Sequence, residues 1–482
     1  MATHLPLSTS LNRPYINSSE FEEEPIYALL EIHPAVESAT NQRSPLNIVI
    51  VIDSSGTMFN FQLNETERDY WMGLALSRDE MERGEADDQE AVFWSGQTLL
   101  DMESIVRKPI TLAVDAIKEL LHSLQFGDQA AVVAFADTPT TLFTADDWKR
   151  NGEECLGRLD ALVNQQLSVD IGTGTKLAQP LTNAFDLIRK SNSGSSVDRI
   201  IVISDGIVQD EEATNVIVET IKTGGTAIST IGVGEDFDEE FLMNVADLTR
   251  GGYHYAADSL TITSELMSEL VVIKSTTVRQ LHIAAQGVAG TVVQDIYMAR
   301  PNMTIFDEIE SADGWMSARV GDLPSDLHTA LLIQLAPSKQ PEGTQEIAMV
   351  QLSWQSSEGA SSFPTQSQQA ESITAGYTSN PTLLETRNSD VQELVDRFMV
   401  YKYEREAQRA QDSGDNDKAK QKLGAATRQL RDLGENALAD DLEAQIASIG
   451  SGTADPTRAK RIKATTRRLG ASTTTTPDLD TF

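Results

Sequence analysis

Asp53, Ser55 and Thr57 place one carboxylate and two hydroxyls at alternate positions of a short turn, directly after an unbroken apolar run at 48–52. Hard oxygen donors of low total charge suit Mg2+, which keeps water and open coordination positions rather than filling its shell with protein. Mn2+ and Ca2+ are the alternatives for such donors. Two further oxygen-bearing segments follow. Gly172-Thr173-Gly174-Thr175-Lys176-Leu177 is a glycine-rich loop ahead of a helix-like run, and a second apolar strand ends in Ser204-Asp205-Gly206. Taken singly, Asp53 or Asp205 reads as an Asx turn or a helix cap; the ordered set is what points to a metal.

The elements around these residues predict where they sit. Residues 48–52 are β-branched without alternation, the pattern of a central parallel strand covered on both faces. Strand-like runs recur at 130–135, 200–204 and 227–233, and helix-like runs at 110–124, 177–191, 211–223 and 239–248 lie between or after them. Such alternation predicts a doubly wound α/β sheet. All three segments then fall at the carboxyl ends of parallel strands, where open α/β sheets bind ligands.

The run Asp53-Ser54-Ser55-Gly56-Thr57 resembles the Asp-x-Ser-x-Ser motif of von Willebrand factor A (VWA) domains, with Thr57 keeping the hydroxyl of the last serine. The loop around Thr175 is similar to the family's Gly-Gly-Thr-x-Leu loop, and Ser204-Asp205-Gly206 resembles its Thr-Asp-Gly strand ending. Gly251-Gly252-Tyr253-His254-Tyr255, after Gly232-Val233-Gly234, resembles the closing strand pair. The resemblance implies a metal-ion-dependent adhesion site. Asp53, Ser55, Thr57, Thr175 and Asp205 would hold Mg2+ directly or through water, and a partner's Asp or Glu would complete the shell. It implies a bacterial, non-catalytic interaction module or scaffold whose partner is a protein, such as an ATPase, a kinase or a phosphatase.

Composition narrows the field. A net charge of −35 opposes binding to nucleic acid or to anionic membranes. Cys155 is the only cysteine, which excludes an intrachain disulfide and fits a reducing compartment. No apolar stretch approaches the roughly 20 residues of a membrane span, and the first ten residues lack a leader-like pattern. The expectation is a cytoplasmic protein.

The expected architecture is multidomain: an α/β doubly wound VWA domain inserted beside a β-sandwich-like unit, followed by a C-terminal helical bundle. Residues 1–20 read as an N-terminal arm, 21–45 and 275–355 as the β-rich unit, and 46–272 as the VWA domain. Residues 356–386, rich in Ser, Gln, Thr and Gly, read as a linker. Residues 387–450 carry apolar positions at helical spacing, punctuated by Gly414 and Gly434. Residues 451–482 read as a flexible tail, basic at 457–468 and then threonine-rich. Thr475, three residues before Asp478, resembles the phosphothreonine pattern that forkhead-associated domains read.

An insertion at 59–108 separates the first metal loop from the helix that follows. Its stretch 65–90 holds ten acidic residues, and Tyr70, Trp71, Phe93 and Trp94 are its aromatics. A polar helix with aromatic anchors is expected, acting as a contact surface, as a gate on the metal site, or as plain surface elaboration.

Enzymatic signatures are absent. The six histidines are scattered, without zinc-ligand spacing, and neither a Gly-x-Ser-x-Gly elbow nor a phosphate-binding glycine loop occurs. Metal-dependent phosphoester hydrolysis is the enzymatic alternative. Self-association, with Asp478 or Asp480 reaching a neighbour's metal, is the structural one.

Overall fold

A computed structural model describes residues 5–19, 24–33, 43–61, 63, 65–86, 89–167, 169–192, 194, 196–234, 237–256, 261–306, 309–325, 328–356, 365–449 and 456–470. The chain divides into two units, one comprising 45–192 and 198–271, the other comprising 1–44, 193–197 and 272–482.

The first unit is built on a six-stranded sheet. Its strand order is Tyr253–Ala256, Ala227–Val233, Val197–Ser204, Leu46–Asp53, Gln129–Phe135 and Pro139–Phe143. Pairing is parallel from Tyr253–Ala256 through Val197–Ser204 and between Leu46–Asp53 and Gln129–Phe135, while Pro139–Phe143 runs antiparallel at the edge. All eight residues of Leu46–Asp53 are buried, which is why that segment carries no polar alternation. Helices Pro109–His122, Ala178–Ser191, Glu211–Thr223 and Glu239–Thr249 follow the strands. One core joins Val49, Val51, Val133 and Val202 to Leu181, Val218 and Leu242.

The insertion is more structured than a single polar helix. Helix Glu65–Arg78 leads into a hairpin of Met81–Ala86 and Gln89–Trp94, then helix Gly96–Ile105. Glu80 caps that last helix, accepting the backbone N–H groups of Gln97 at 2.9 Å and Thr98 at 2.7 Å. Arg78 pairs with Asp101 at 2.8 Å, and Trp71 is buried whereas Tyr70 stands exposed.

The second unit holds two sheets and a helical bundle. A five-stranded antiparallel sheet runs in the order Leu7–Leu11, Ile26–Ile32, Thr329–Ala336, Val292–Arg300, Thr304–Ile305. A six-stranded sheet runs Glu310–Ala312, Trp315–Pro324, Thr276–Gly287, Gly343–Ser356, Thr365–Thr378, Tyr15–Asn17. Leu30, Ile32, Ile296 and Ile333 of the first sheet share a core with Ile283, Val350 and Trp354 of the second. The opposite face of the five-stranded sheet, with Tyr27, Leu29, Tyr297 and Leu332, packs on Leu394, Phe398 and Tyr401 of helix Ser389–Asp412. Ile26–Ile32 is therefore apolar on both faces. Helices Asn416–Asp432, Asn436–Ser448 and Pro456–Arg467 complete the bundle.

Three boundaries differ from the sequence expectation. The arm at 1–20 contributes strands Leu7–Leu11 and Tyr15–Asn17 to the two sheets. The expected linker holds Thr365–Thr378, whose Ile373, Ala375 and Tyr377 alternate into the sandwich core. The expected flexible tail begins with helix Pro456–Arg467, where Arg461 pairs with Asp441 at 3.0 Å and Ile462 is buried. Thr475, Asp478 and Asp480 lie outside the described residues. Among the described residues no helix is long and apolar enough to cross a membrane.

Candidate functional site

Asp53 closes the strand Leu46–Asp53, and Asp205 follows the neighbouring strand Val197–Ser204. Adjacent strand ends thus bring two carboxylates to one rim of the sheet. Asp53 is fully buried. Its Oδ1 accepts the Ser55 N–H at 2.8 Å and its Oδ2 accepts the Ser204 hydroxyl at 2.5 Å. Burial pushes the Asp53 carboxyl up to about 6 against these two bonds, because both donors are neutral. A buried carboxylate without a positive partner is costly, and a bound cation relieves that cost.

The hydroxyls continue the set outward. Ser55 Oγ and Thr57 Oγ1 lie 3.0 Å apart, and Thr57 Oγ1 donates to Asp205 Oδ1 at 2.7 Å. Ser55 and Asp205 are buried, while Thr57 reaches solvent. Thr175 arrives from the third loop, with its Oγ1 against Gly206. A Cβ at Gly206 would stand 2.6 Å from that oxygen, so glycine is what lets the two loops meet.

Backbone ties fix the three loops to one another. Gly56 N–H donates to the Thr173 carbonyl at 3.3 Å, and Gln209 N–H donates to the Thr175 carbonyl at 2.9 Å. Asp210 accepts the N–H groups of Leu177 at 2.7 Å and Ala178 at 3.1 Å, satisfying the open amino end of helix Ala178–Ser191. From its position, Asp210 reads instead as the cap of its own helix, Glu211–Thr223, and that helix has no side-chain cap bond.

Two residues at the site are not among the five ligand candidates of the sequence. Ser204 stands where the family motif has threonine, and its hydroxyl orients Asp53. Asp137, two residues beyond the strand Gln129–Phe135, lies beside the Thr175 loop. Lys176, with the Gly174 and Thr173 amides, holds its carboxyl below the usual carboxylate range. The position of Asp137 at a parallel strand's carboxyl end was the available signal.

The donor set fits a hard divalent cation. It offers two carboxylates and three hydroxyls, and among the described residues no group of three or more His, Cys, Asp or Glu is arranged to hold a metal. Nitrogen- and sulfur-preferring ions have no site of that kind there. His254 is engaged elsewhere, between Glu265 at 2.8 Å and Glu269 at 2.9 Å.

Comparison with known proteins identifies the fold. Residues 101–269 match the family model described as von Willebrand factor type A domain, and residues 389–472 match that described as Sll0103-like, C-terminal alpha-helical domain. The chain is a protein containing a von Willebrand factor A domain. The strand bearing Asp53 lies before the matched residues, across the insertion; the sheet order joins it to them. A von Willebrand factor type A structure from Catenulispora acidiphila aligns over 97% of both chains at a TM-score of 0.69 and 16% identity. The ArnB paralog VWA2 from Sulfolobus acidocaldarius aligns over 97% of this chain and 99% of its own, at a TM-score of 0.53 and 13% identity. A von Willebrand factor A domain-containing protein of Dictyostelium discoideum is 23% identical over 41% of this chain and 20% of its own length. These similarities establish the fold.

Proposed function

We propose that this chain is a non-catalytic interaction module whose VWA domain binds a partner protein's Asp or Glu through a divalent cation, Mg2+ first. Asp53, Ser55, Thr57, Thr175 and Asp205 would hold the ion directly or through water. The observation that carries this reading is the hydrogen-bonded run from buried Asp53, through the Ser55 N–H, to the Ser55 and Thr57 hydroxyls and Asp205. The two carboxylates balance the charge of a divalent cation, and the neutral hydroxyls leave its shell without a further anionic donor, so that an incoming carboxylate finds an open position. On a chain of net charge −35, an acidic partner meets repulsion unless a cation intervenes. Affinity therefore depends on the metal.

The test is a pull-down from native lysate with wild type and Asp53→Ala, each in Mg2+ and in EDTA. The reading expects a partner held by wild type in Mg2+ and lost in the other three arms. A partner held equally in all four arms contradicts it.

A further inference from the structure

We propose that Asp137 is a positioning residue of the metal site, acting through Thr175 by holding the 172–176 loop around its carboxylate. The proposal rests on the metal-site reading above and adds a residue to it.

The backbone first brackets Asp137 with the two ends of that loop. The N–H groups of Asp137 and Thr138 donate to the Ile171 carbonyl at 2.9 and 3.1 Å, and Lys176 N–H donates to the Ala136 carbonyl at 3.0 Å. The carboxylate then gathers what lies between. Asp137 Oδ2 accepts the N–H groups of Thr173 and Gly174, each at 3.2 Å, and Oδ1 pairs with Lys176 Nζ at 2.9 Å. Residues on both sides of Thr175 are thereby tied to one side chain. Thr175 is anchored on its other side by Gln209.

The glycines of the loop make room for this arrangement. Gly172 has φ +83°, and a Cβ there would stand 2.2 Å from Asp137 Oδ2. A Cβ on Gly174 would stand 2.8 Å from Asp137 Oδ1 and 2.7 Å from Gln209 Oε1. A loop with two glycines loses much conformational freedom when ordered. A neutral hydroxyl is a weak ligand, so its placement in advance matters to affinity. Lys176 offsets the Asp137 charge, so the latch adds little repulsion toward an approaching carboxylate.

Mn2+ uptake, followed by electron paramagnetic resonance on the full chain, tests this with wild type, Asp137→Ala, Asp137→Asn, Thr175→Ala and the Asp137→Ala/Thr175→Ala double variant. Loss of a residue that orients a ligand costs about 10–100-fold in metal affinity, and Asp137→Ala is expected in that range. Asp137→Asn loses the charge but keeps an acceptor oxygen for the two loop amides, and is expected to retain more affinity than Asp137→Ala. The double variant binds no more weakly than Thr175→Ala, because residues acting as one unit are not additive. Wild-type affinity in Asp137→Ala, or losses that multiply in the double variant, overturns the proposal while leaving the metal site standing. No Mn2+ uptake by wild type overturns the metal-site reading and this proposal with it. If Asp137→Ala fails to fold, Gly174→Ala displaces the same carboxylate; it is expected to lose affinity equally, and unchanged uptake overturns the proposal.

Discussion

Thr57 Oγ1 donates a hydrogen bond to Asp205 Oδ1 at 2.7 Å, joining two residues that lie 148 positions apart. The contact is made between loops at neighbouring strand ends, with Ser55 on the same hydroxyl at 3.0 Å. Removing it tests the site without disturbing the core. Thr57→Val is expected to cost about 1 kcal/mol of stability and to abolish most Mn2+ uptake, whereas Thr57→Ser retains it. Paired melting curves and resonance titrations check this; equal uptake in Thr57→Val counts against Thr57 as a ligand.

Gly206→Ala inserts a methyl 2.6 Å from Thr175 Oγ1 and 3.3 Å from its Cγ2. Overpacking of this kind costs about 1–3 kcal/mol. The expected signature is a fall in the urea midpoint together with a metal affinity as low as that of Thr175→Ala. Full affinity in Gly206→Ala would show that Thr175 is not needed where it stands.

His254 makes stability depend on pH. Burial alone would depress its pKa, yet hydrogen bonds to Glu265 and Glu269 and their charges raise it from 6.5 to about 9. A raised histidine pKa gives stability that is complete below about pH 6.5 and is lost as pH rises through about 9. Glu269, although buried, is held below the usual carboxylate range by His254 and Arg199, so its contribution is lost on acidification. The unfolding free energy from urea titrations should therefore decline between pH 7 and pH 9.5, by on the order of 1–3 kcal/mol. His254→Gln should flatten that decline, and a slope identical to wild type would remove His254 as its source.

Phe398 separates folding of the second unit from metal binding. It is fully buried, with its ring centroid 4.5 Å from that of Tyr297. Phe398→Ala is expected to cost about 3–5 kcal/mol while the VWA domain takes up Mn2+ with unchanged affinity. A parallel loss of metal affinity would mean that the two units do not fold independently.

The legible parts of this chain were those whose chemistry is local. The buried strand Leu46–Asp53 shows itself by five consecutive β-branched residues, and Asp53, Ser55 and Thr57 stand at alternate positions directly after it. Thr175 and Asp205 are read through family resemblance, and the structure sets Thr175 Oγ1 against Gly206, the residue after Asp205. Residues whose meaning comes from distant partners were not legible. Asp210 has the appearance of a cap for the helix it precedes, yet its carboxylate serves helix Ala178–Ser191. Asp137, followed by Thr138 and Pro139, looks like a turn residue until the loop around Thr175 is folded against it.

The same limit explains the misread flanks. Thr365–Thr378 has the Gln- and Ser-rich composition of a linker. Its register against Gly343–Ser356 supplies the backbone bonds, and Ile373, Ala375 and Tyr377 supply the buried face. In helix Pro456–Arg467 the basic residues suggested a solvated tail. Arg458 and Arg461 instead face Asp441 of helix Asn436–Ser448.

The most direct measurement is a calorimetric titration of Mg2+ into the full chain, wild type beside Asp205→Ala. One saturable site in wild type, absent from a folded Asp205→Ala, is the predicted result. Identical heats in the two proteins would contradict the account, because Asp205 would then hold no metal.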